Sequence, residues 1–166
     1  MVLSRLTQVL LLAWLGVILT CELAGAEPAM EQPAPPLVLT TLDGQAFDLE
    51  KLRDKVVLIN FWATWCAPCR KEIPRLGAFY RRYRERGLEV IGISIDRPSD
   101  LEKVRRQMTS IAYPVAVLKD IAVNGLGKPE GVPVTYVIDS NGVVRDKFIE
   151  LRSELLNDVV VPLLPK

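Results

Sequence analysis

The chain contains no histidine among its 166 residues. Because imidazole is the side chain that ordinarily titrates near neutral pH, this absence excludes a histidine general base, a Cys-His protease dyad and any His-ligated metal centre. The chain has three cysteines, and the two that lie close together are too few for a zinc site, which needs four ligands or three and a water. We therefore expect no metal and no cofactor.

The chain also lacks an excess of either charge, since 21 Lys and Arg face 20 Asp and Glu and the net charge is +1. Such a balance gives no general attraction to nucleic acid or to an acidic membrane surface. A short arginine cluster between residues 81 and 86 suits the exposed end of a helix, where cations face the negative pole of its dipole, and partner docking is the alternative. The composition, 49% hydrophobic and 25% charged, is that of a single globular domain.

Residues 1–26 have the pattern of a signal peptide. Arg5 supplies the positive end, residues 6–20 form a continuous apolar run, and Ala24-Gly25-Ala26 is a small-x-small cleavage site. Two alternatives stay open: the apolar run is retained as a membrane anchor, or Cys21 carries a lipid. All three predict export, to the periplasm after cleavage near Ala26 or on the inner membrane if the chain stays anchored.

Residues 27–36 carry four prolines among small and polar residues, which predicts an extended tether rather than a packed element. The folded domain is then expected over residues 37–166. Asp43-Gly44 lies between two short extended segments and predicts a β-hairpin at the start of this domain. Asp48 is expected to cap a short helix that follows the hairpin.

The most informative segment is Trp65-Cys66-Ala67-Pro68-Cys69. It follows the run 56–61, whose β-branched residues without alternation predict a strand buried on both faces. Beyond it, apolar residues recur every three or four positions as far as Gly87, which predicts a helix bent at Pro74. The two cysteines therefore stand where a central strand turns into a helix.

A helix that begins at Cys66 offers unpaired N–H groups and the positive end of its dipole to that sulfur. Both stabilise a thiolate and lower its pKa from about 8.5. Cys66 is therefore predicted to be the exposed attacking thiol, and Cys69, one turn into the helix, the buried thiol that resolves the mixed disulfide. A loop this short adds little stability as a structural cross-link, so the Cys66–Cys69 disulfide is expected to be redox-active.

The rest of the chain alternates strand and helix, which predicts an α/β domain with a parallel core and a terminal antiparallel hairpin. The Ser-x-x-Glu pattern from Ser99 to Glu102 predicts a capping box at the start of the second helix. The other expected elements are strands at 88–95, 113–118, 134–138 and 143–149 and a last helix at 153–164.

Two sequence blocks, residues 59–74 and 131–139, resemble the TlpA/ResA/CcmG group of membrane-associated or periplasmic thioredoxin-like proteins. The resemblance runs from about residue 34 to the C-terminus. It implies a thioredoxin-like fold for residues 37–166, with a mixed sheet, an N-terminal β-hairpin and helices on both faces. It also implies thiol-disulfide oxidoreductase activity at Cys66 and Cys69.

The resemblance further implies a cis bond before Pro133, against the two sulfurs, which leaves the Val132 backbone free to pair with an extended substrate. Glu72 matches an acidic residue of the group, so it would accept a proton from Cys69 or restrain the Cys66 thiolate; the alternative is a solvated glutamate paired with Arg75. Asn60 replaces the buried aspartate of ordinary thioredoxins, which shifts acid–base work to Glu72 or water. The predicted substrate contacts are Trp65, Ala67, Pro68, Val132 and Pro133.

These observations predict an exported reductase for disulfides of extracytoplasmic proteins. Cytochrome c maturation is the setting that the resemblance suggests, with apocytochrome c as substrate and a membrane electron donor of the DsbD/CcdA kind. The alternatives are a dithiol oxidase or isomerase, and a non-catalytic Cu(I) carrier that uses the two thiolates.

Overall fold

A computed structural model describes residues 28–166. The expected leader, anchor and lipidation sites fall on residues that lie outside this range. None of the helices within residues 28–166 has the length and hydropathy needed to cross a bilayer.

The strands are β1 Leu37–Thr40, β2 Ala46–Asp48, β3 Val56–Trp62, β4 Leu88–Ser94, β5 Val115–Val117, β6 Ile121–Asn124, β7 Val134–Ile138 and β8 Val144–Phe148. The helices are α1 Ala67–Tyr83, α2 Leu101–Met108 and α3. Helix α3 begins at Ser153–Leu155 and continues through a π-helical segment Leu156–Val160 and a 3₁₀ turn Val161–Leu163.

The central sheet has five strands in the order β5-β4-β3-β7-β8. Strands β3, β4 and β5 run parallel, whereas β7 and β8 are antiparallel to their neighbours. Every residue of β3 is buried, as its unbroken apolar run predicts for the middle strand. Phe61 pairs with Val134 across β3 and β7, so the carboxyl end of β3 lies beside the start of β7.

The fold class is confirmed, but the α-helices do not cover both faces of the sheet. Side chains of α1 and α3 share a core with Val56 and Leu58, and Val104 of α2 packs in a cluster with Trp62 on that same face. The connections β3-α1-β4 and β4-α2-β5 each join neighbouring parallel strands, and such crossovers are right-handed in nearly all proteins. Because both crossovers step across the sheet in the same direction, α1 and α2 lie on the same face. The opposite face is covered by a second sheet, ordered β2-β1-β6, and by the 3₁₀ turns Leu49–Leu52 and Leu118–Asp120.

The N-terminal hairpin is confirmed, because β1 pairs with β2 in antiparallel fashion around Gly44 at φ 87°. The tether prediction is wrong for residues 31–36. Ala34 is buried and its N–H donates to the carbonyl of Gly142, while Pro33 bridges to Val143. This segment follows the edge of the β7–β8 hairpin, since extended proline-rich backbone is well suited to lie along a strand edge.

The helix expected to begin at Cys66 is confirmed, with Cys66 as its N-cap, Pro74 inside α1 and Gly87 in the left-handed conformation beyond its end. The predicted capping box is wrong. Ser99 lies inside a 3₁₀ turn, Pro98–Asp100, that precedes α2, and the residue before α2 is Asp100, whose side chain makes no cap hydrogen bond. Pro98 starts helical backbone one turn early, so Ser99 is not in the extended conformation that an N-cap requires.

Candidate active site

The site lies where β3 ends and α1 begins. Cys66 is the N-cap of α1, with extended backbone angles φ −80° and ψ 107°. Its Sγ accepts a hydrogen bond from the N–H of Cys69 at 3.1 Å. Pro68 stands in the first turn, where a helix has N–H groups without partners and a proline costs no hydrogen bond. The amino end of α1 is therefore capped by a sulfur atom.

Cys66 and Cys69 are joined by a disulfide. Both residues are buried, with 3% of Cys66 and 1% of Cys69 exposed, which corrects the prediction of an exposed Cys66 in this oxidised form. The reason is packing, because Trp62, Ala63 and Ile73 form a core cluster with the two cysteines. The exposed fraction differs little between the two residues, so what distinguishes them is their position relative to the helix end, with Cys66 as the N-cap and Cys69 inside α1.

The bond between Val132 and Pro133 is cis, as the resemblance implies. The carbonyl oxygen of Val132 lies 3.6 Å from the Sγ of Cys66. A disulfide sulfur carries no proton, so this is a contact here, whereas a reduced Cys66 thiol at that place has an acceptor for its proton. The structure thus brings Cys66, Cys69, Val132 and Pro133 together.

The other predicted substrate contacts form the rim of the site. Trp65 is 63% exposed, which is unusual for a large aromatic side chain, and Ala67 and Pro68 are exposed beside it. Behind Pro133 lies an open cavity of about 230 Å³, which borders Val132 on one side and the 72% exposed Ile149 on the other. Exposed apolar residues, Trp65, Ala67 and Pro68, therefore adjoin the buried disulfide along the chain and form, with Val132 and Pro133, what is called the apolar rim below.

Glu72 is buried in α1, with 5% of its surface exposed. Its Oε1 accepts a hydrogen bond from the N–H of Leu151 at 3.0 Å, and its Oε2 has no hydrogen-bond partner among the described residues. Burial raises the pKa of this carboxyl, and the charge of Glu150 adds to the rise. The alternative of a solvated glutamate is therefore wrong, although the structure pairs Glu72 with Leu151 and not with either sulfur.

Asn60 lies in β3 and is 3% exposed. Its Nδ2 donates a hydrogen bond to Oγ1 of Thr135 on β7 at 2.9 Å. The amide is thus held inside the sheet as a neutral group, where an aspartate would be a buried charge.

A polar network beside the cysteines was not predicted from the sequence. Asp96, two residues beyond the end of β4, accepts hydrogen bonds from the N–H of Thr64 at 2.9 Å and from the Thr64 hydroxyl at 2.6 Å. The hydroxyl of Ser94 donates to the same carboxylate at 2.7 Å. The sequence feature that could have predicted this network is the parallel pairing of β3 and β4. The carboxyl ends of paired parallel strands lie next to each other, so polar residues that follow the two strands come together.

Within residues 28–166, no three His, Cys, Asp or Glu side chains cluster as they would around a metal ion.

Comparison with known proteins also indicates thiol-disulfide exchange. Residues 30–147 match the AhpC/TSA family. The thiol-disulfide oxidoreductase ResA of Bacillus cereus is 35% identical over 116 residues, which are 70% of this chain and 67% of that protein. ResA of Geobacillus thermodenitrificans is 31% identical over 149 residues, 87% of this chain and 84% of that protein. The crystal structure of a thiol:disulfide interchange protein from Chlorobium tepidum is 33% identical and superposes with a TM-score of 0.67 over 84% of this chain and 97% of that one.

Proposed function

This chain belongs to the AhpC/TSA family and is a thiol-disulfide oxidoreductase of the ResA type, and we propose that it works as an exported reductase of disulfides in extracytoplasmic proteins. Cys66 is the attacking thiolate in this proposal and Cys69 the resolving thiol. The substrate class is an exported protein that carries a disulfide, such as the Cys-x-x-Cys of an apocytochrome c.

The observation that carries the proposal is the hydrogen bond from the N–H of Cys69 to the Sγ of Cys66. A negative charge on Cys66 would sit at the positive end of α1, a 17-residue helix, with a backbone donor already aimed at it. Cys69 lies inside α1 and not at its N-cap, so a thiolate there lacks that position. This asymmetry supports Cys66 as the sulfur that ionises first.

The reaction is two exchanges of one disulfide. The Cys66 thiolate attacks a sulfur of the substrate disulfide, forms a mixed disulfide and expels the other substrate sulfur as a thiolate, which takes up a proton. Cys69 then loses its proton and attacks Cys66, which closes the Cys66–Cys69 bond and releases the second substrate sulfur as a thiol. The substrate gains two electrons and two protons, and a membrane dithiol donor of the DsbD/CcdA kind returns the electrons.

Glu72 is the proposed acceptor of the Cys69 proton. It follows Cys69 by about one turn of α1, so the two side chains share one face of the helix. Its Oε2 has no hydrogen-bond partner among the described residues, and burial raises the pKa of its carboxyl, which makes the carboxylate a stronger base than an exposed glutamate. Both properties suit a general base better than a purely structural side chain.

The apolar rim is the proposed docking surface for the substrate. The Val132 backbone stands beside the Cys66 sulfur, where it would pair with an extended segment that carries the target cysteine. Trp65 would cover that segment from the other side, since exposed aromatic side chains are frequent anchors in interfaces.

What stabilises the thiolate supports the reducing direction of this proposal. The strongly oxidising member of the thioredoxin group DsbA has a thiolate of very low pKa, and the Ala67-Pro68 dipeptide offers no cation between the cysteines to create one. We expect a reduction potential near or below the thioredoxin value of about −270 mV. A value near −120 mV would instead assign the protein as an oxidase.

The test is a trapping experiment in the exporting host. Cys69→Ser cannot resolve the mixed disulfide, so it should accumulate covalent complexes through Cys66 that disappear on reduction, whereas Cys66→Ser should trap none. Identification of the trapped proteins by mass spectrometry gives the substrate class. Trapping by Cys66→Ser alone would reverse the order of attack, and tight Cu(I) binding by a reduced protein that reduces no disulfide would favour the carrier function.

A further inference from the structure

Asp96 is a buried carboxylate that the proposed reaction does not use. It is 9% exposed and stands just beyond β4, at the sheet edge where β3 also ends. Three donors reach it: the backbone N–H of Thr64, the Thr64 hydroxyl and the Ser94 hydroxyl. Hydrogen bonds in which one partner carries a charge are stronger than those between neutral groups, so Asp96 is suited to hold the loop before Cys66 in place.

Thr64 is held at each of its polar atoms. Its N–H and its hydroxyl bind Asp96 at 2.9 and 2.6 Å, and its carbonyl accepts a hydrogen bond from Nη1 of Arg70 at 2.8 Å. Two residues later, the N–H of Cys66 donates to the carbonyl of Ala63 at 3.2 Å. The loop from Ala63 to Cys66 therefore has its conformation fixed by Asp96 on one side and by α1 on the other.

We propose that Asp96 is a positioning residue for Cys66, which holds the loop so that the Cys66 sulfur stays at the amino end of α1. The inference rests on the proposed function only in taking Cys66 as the attacking sulfur. The cap requires Cys66 at φ −80° and ψ 107° with 3.1 Å between its sulfur and the Cys69 nitrogen. A loop released from Asp96 populates other backbone angles, and each of them moves the sulfur off the cap and out of line for attack.

The structure supplies two variants to compare. Thr64→Val removes one part-buried hydrogen bond between Asp96 and the loop while it keeps the shape of the side chain. Ser94→Ala removes two buried hydrogen bonds to Asp96, one donated to the carboxylate and one accepted from the Asp96 N–H, but both come from β4 and not from the loop. A network that only stabilises the fold would respond at least as strongly to Ser94→Ala, whereas a positioning role makes Thr64→Val the more damaging change.

The readouts are the rate of reaction of the fully reduced protein with a small aromatic disulfide and the pH dependence of Cys66 alkylation, followed by mass spectrometry of each cysteine. Thr64→Val should react about tenfold more slowly at neutral pH, the loss expected for one charge-assisted hydrogen bond, and its Cys66 pKa should rise. Thr64→Ser keeps the hydroxyl and should restore the wild-type rate. Ser94→Ala should stay within about twofold of wild type.

A double-mutant cycle assigns the effect to Asp96 itself. Asp96→Asn preserves the size of the side chain and removes its charge, and Thr64→Val added to Asp96→Asn should slow the reaction less than about twofold further if the hydroxyl acts through the carboxylate. Equal effects of Thr64→Val and Ser94→Ala, or full additivity in the cycle, would overturn the proposal.

The outcome is separable from the proposed function. Wild-type Cys66 alkylation in the Thr64→Val variant, together with successful trapping by Cys69→Ser, would overturn the role of Asp96 and keep the reductase. Slow alkylation in that variant would support the role of Asp96 even if the reduced wild-type protein reduces no protein disulfide, because alkylation reports only on the Cys66 sulfur.

Discussion

The backbone N–H of Leu151 donates a hydrogen bond to Oε1 of Glu72 at 3.0 Å, which joins the segment after β8 to the buried side of α1. Burial raises the pKa of Glu72, and the Leu151 bond, which favours the ionised form, offsets only part of that rise. A carboxyl that titrates inside the core links the protonation state of the protein to its stability.

Glu72→Gln is expected to change how stability depends on pH. The folded-state pKa of Glu72 lies above its ordinary value of 4.5, so the folded chain binds this proton more tightly than the unfolded chain. The free energy of unfolding of the wild type should therefore fall as the pH rises from about 4.5 through the raised folded pKa, and level off beyond it. Urea titrations at a series of pH values should show the variant without this decline. Glu154→Gln, at an exposed site, is the control, and parallel curves for wild type and Glu72→Gln would contradict the expectation.

Trp65→Ala should separate substrate binding from folding. Trp65 is 63% exposed, so its removal should change the free energy of unfolding by less than about 0.5 kcal/mol. Reduction of a protein disulfide should slow about tenfold, because an aromatic anchor beside the sulfur is lost. Reaction with a small aromatic disulfide, which does not span the rim, should keep its rate. An equal loss of rate with both substrates would place Trp65 in the sulfur chemistry and not in docking.

Gly92→Ala should destabilise the fold by about 1–3 kcal/mol through overpacking. A Cβ at this position of β4 would lie 3.0 Å from Cε2 of Tyr113 and 3.2 Å from Nε1 of Trp62, both in rigid aromatic rings. Gly131→Ala is a matched control, since a Cβ there meets nothing within 4 Å. Thermal and urea unfolding of both variants measure the difference, and equal stabilities would show that the core relaxes around the added methyl group.

Asp139→Ala should destabilise the turn between β7 and β8. Asp139 accepts hydrogen bonds from the N–H groups of Asn141 and Val143, each at 2.9 Å, and from Nε of Arg145 at 2.7 Å. Although burial alone would raise the pKa of Asp139, these donors lower it overall. We expect a loss of about 2–3 kcal/mol at neutral pH.

The lowered pKa of Asp139 determines how the stability lost in Asp139→Ala depends on pH. The folded pKa of Asp139 is below its ordinary value of 3.8, so its contribution is complete above that value and disappears as the pH falls through the folded pKa. The gap in unfolding free energy between wild type and Asp139→Ala should thus narrow only in strong acid. Asp158→Ala, at an exposed site, should stay within about 0.5 kcal/mol of wild type at every pH. A gap that is constant with pH would contradict the role of the carboxylate charge.

Local signals predicted the part of the fold that carries the cysteines. The apolar run of β3, the helical periodicity of α1, the Asp-Gly turn and the terminal hairpin are properties of short segments, and each appears where expected. The cis bond before Pro133 came from the resemblance, since the residues around it are compatible with either isomer.

The features that were missed depend on partners distant along the chain. Strand β6 is short and half exposed, and it exists because β1 offers it an edge. Composition predicts a tether for the proline-rich segment before β1, because it reports the stiffness of the segment but not the hairpin that the segment packs against. The hydrogen bonds of Asp96 likewise depend on Thr64, which is distant along the chain. The burial of Cys66 depends on its packing with Trp62 and Ile73.

The pairing of Phe61 with Val134 decides how the chain can be altered without harm to its chemistry. The chain needs only a few residues to run from Phe61 to Cys66 on one strand and from Val134 to Val132 on the other, so the register of β3 and β7 governs the spacing between the Cys66 sulfur and the Val132 carbonyl. Exposed loop tips between Pro98 and Asn124, which do not border the cavity beside Pro133, are therefore suited to carry insertions or tags, because lengthening them adds only a small closure entropy.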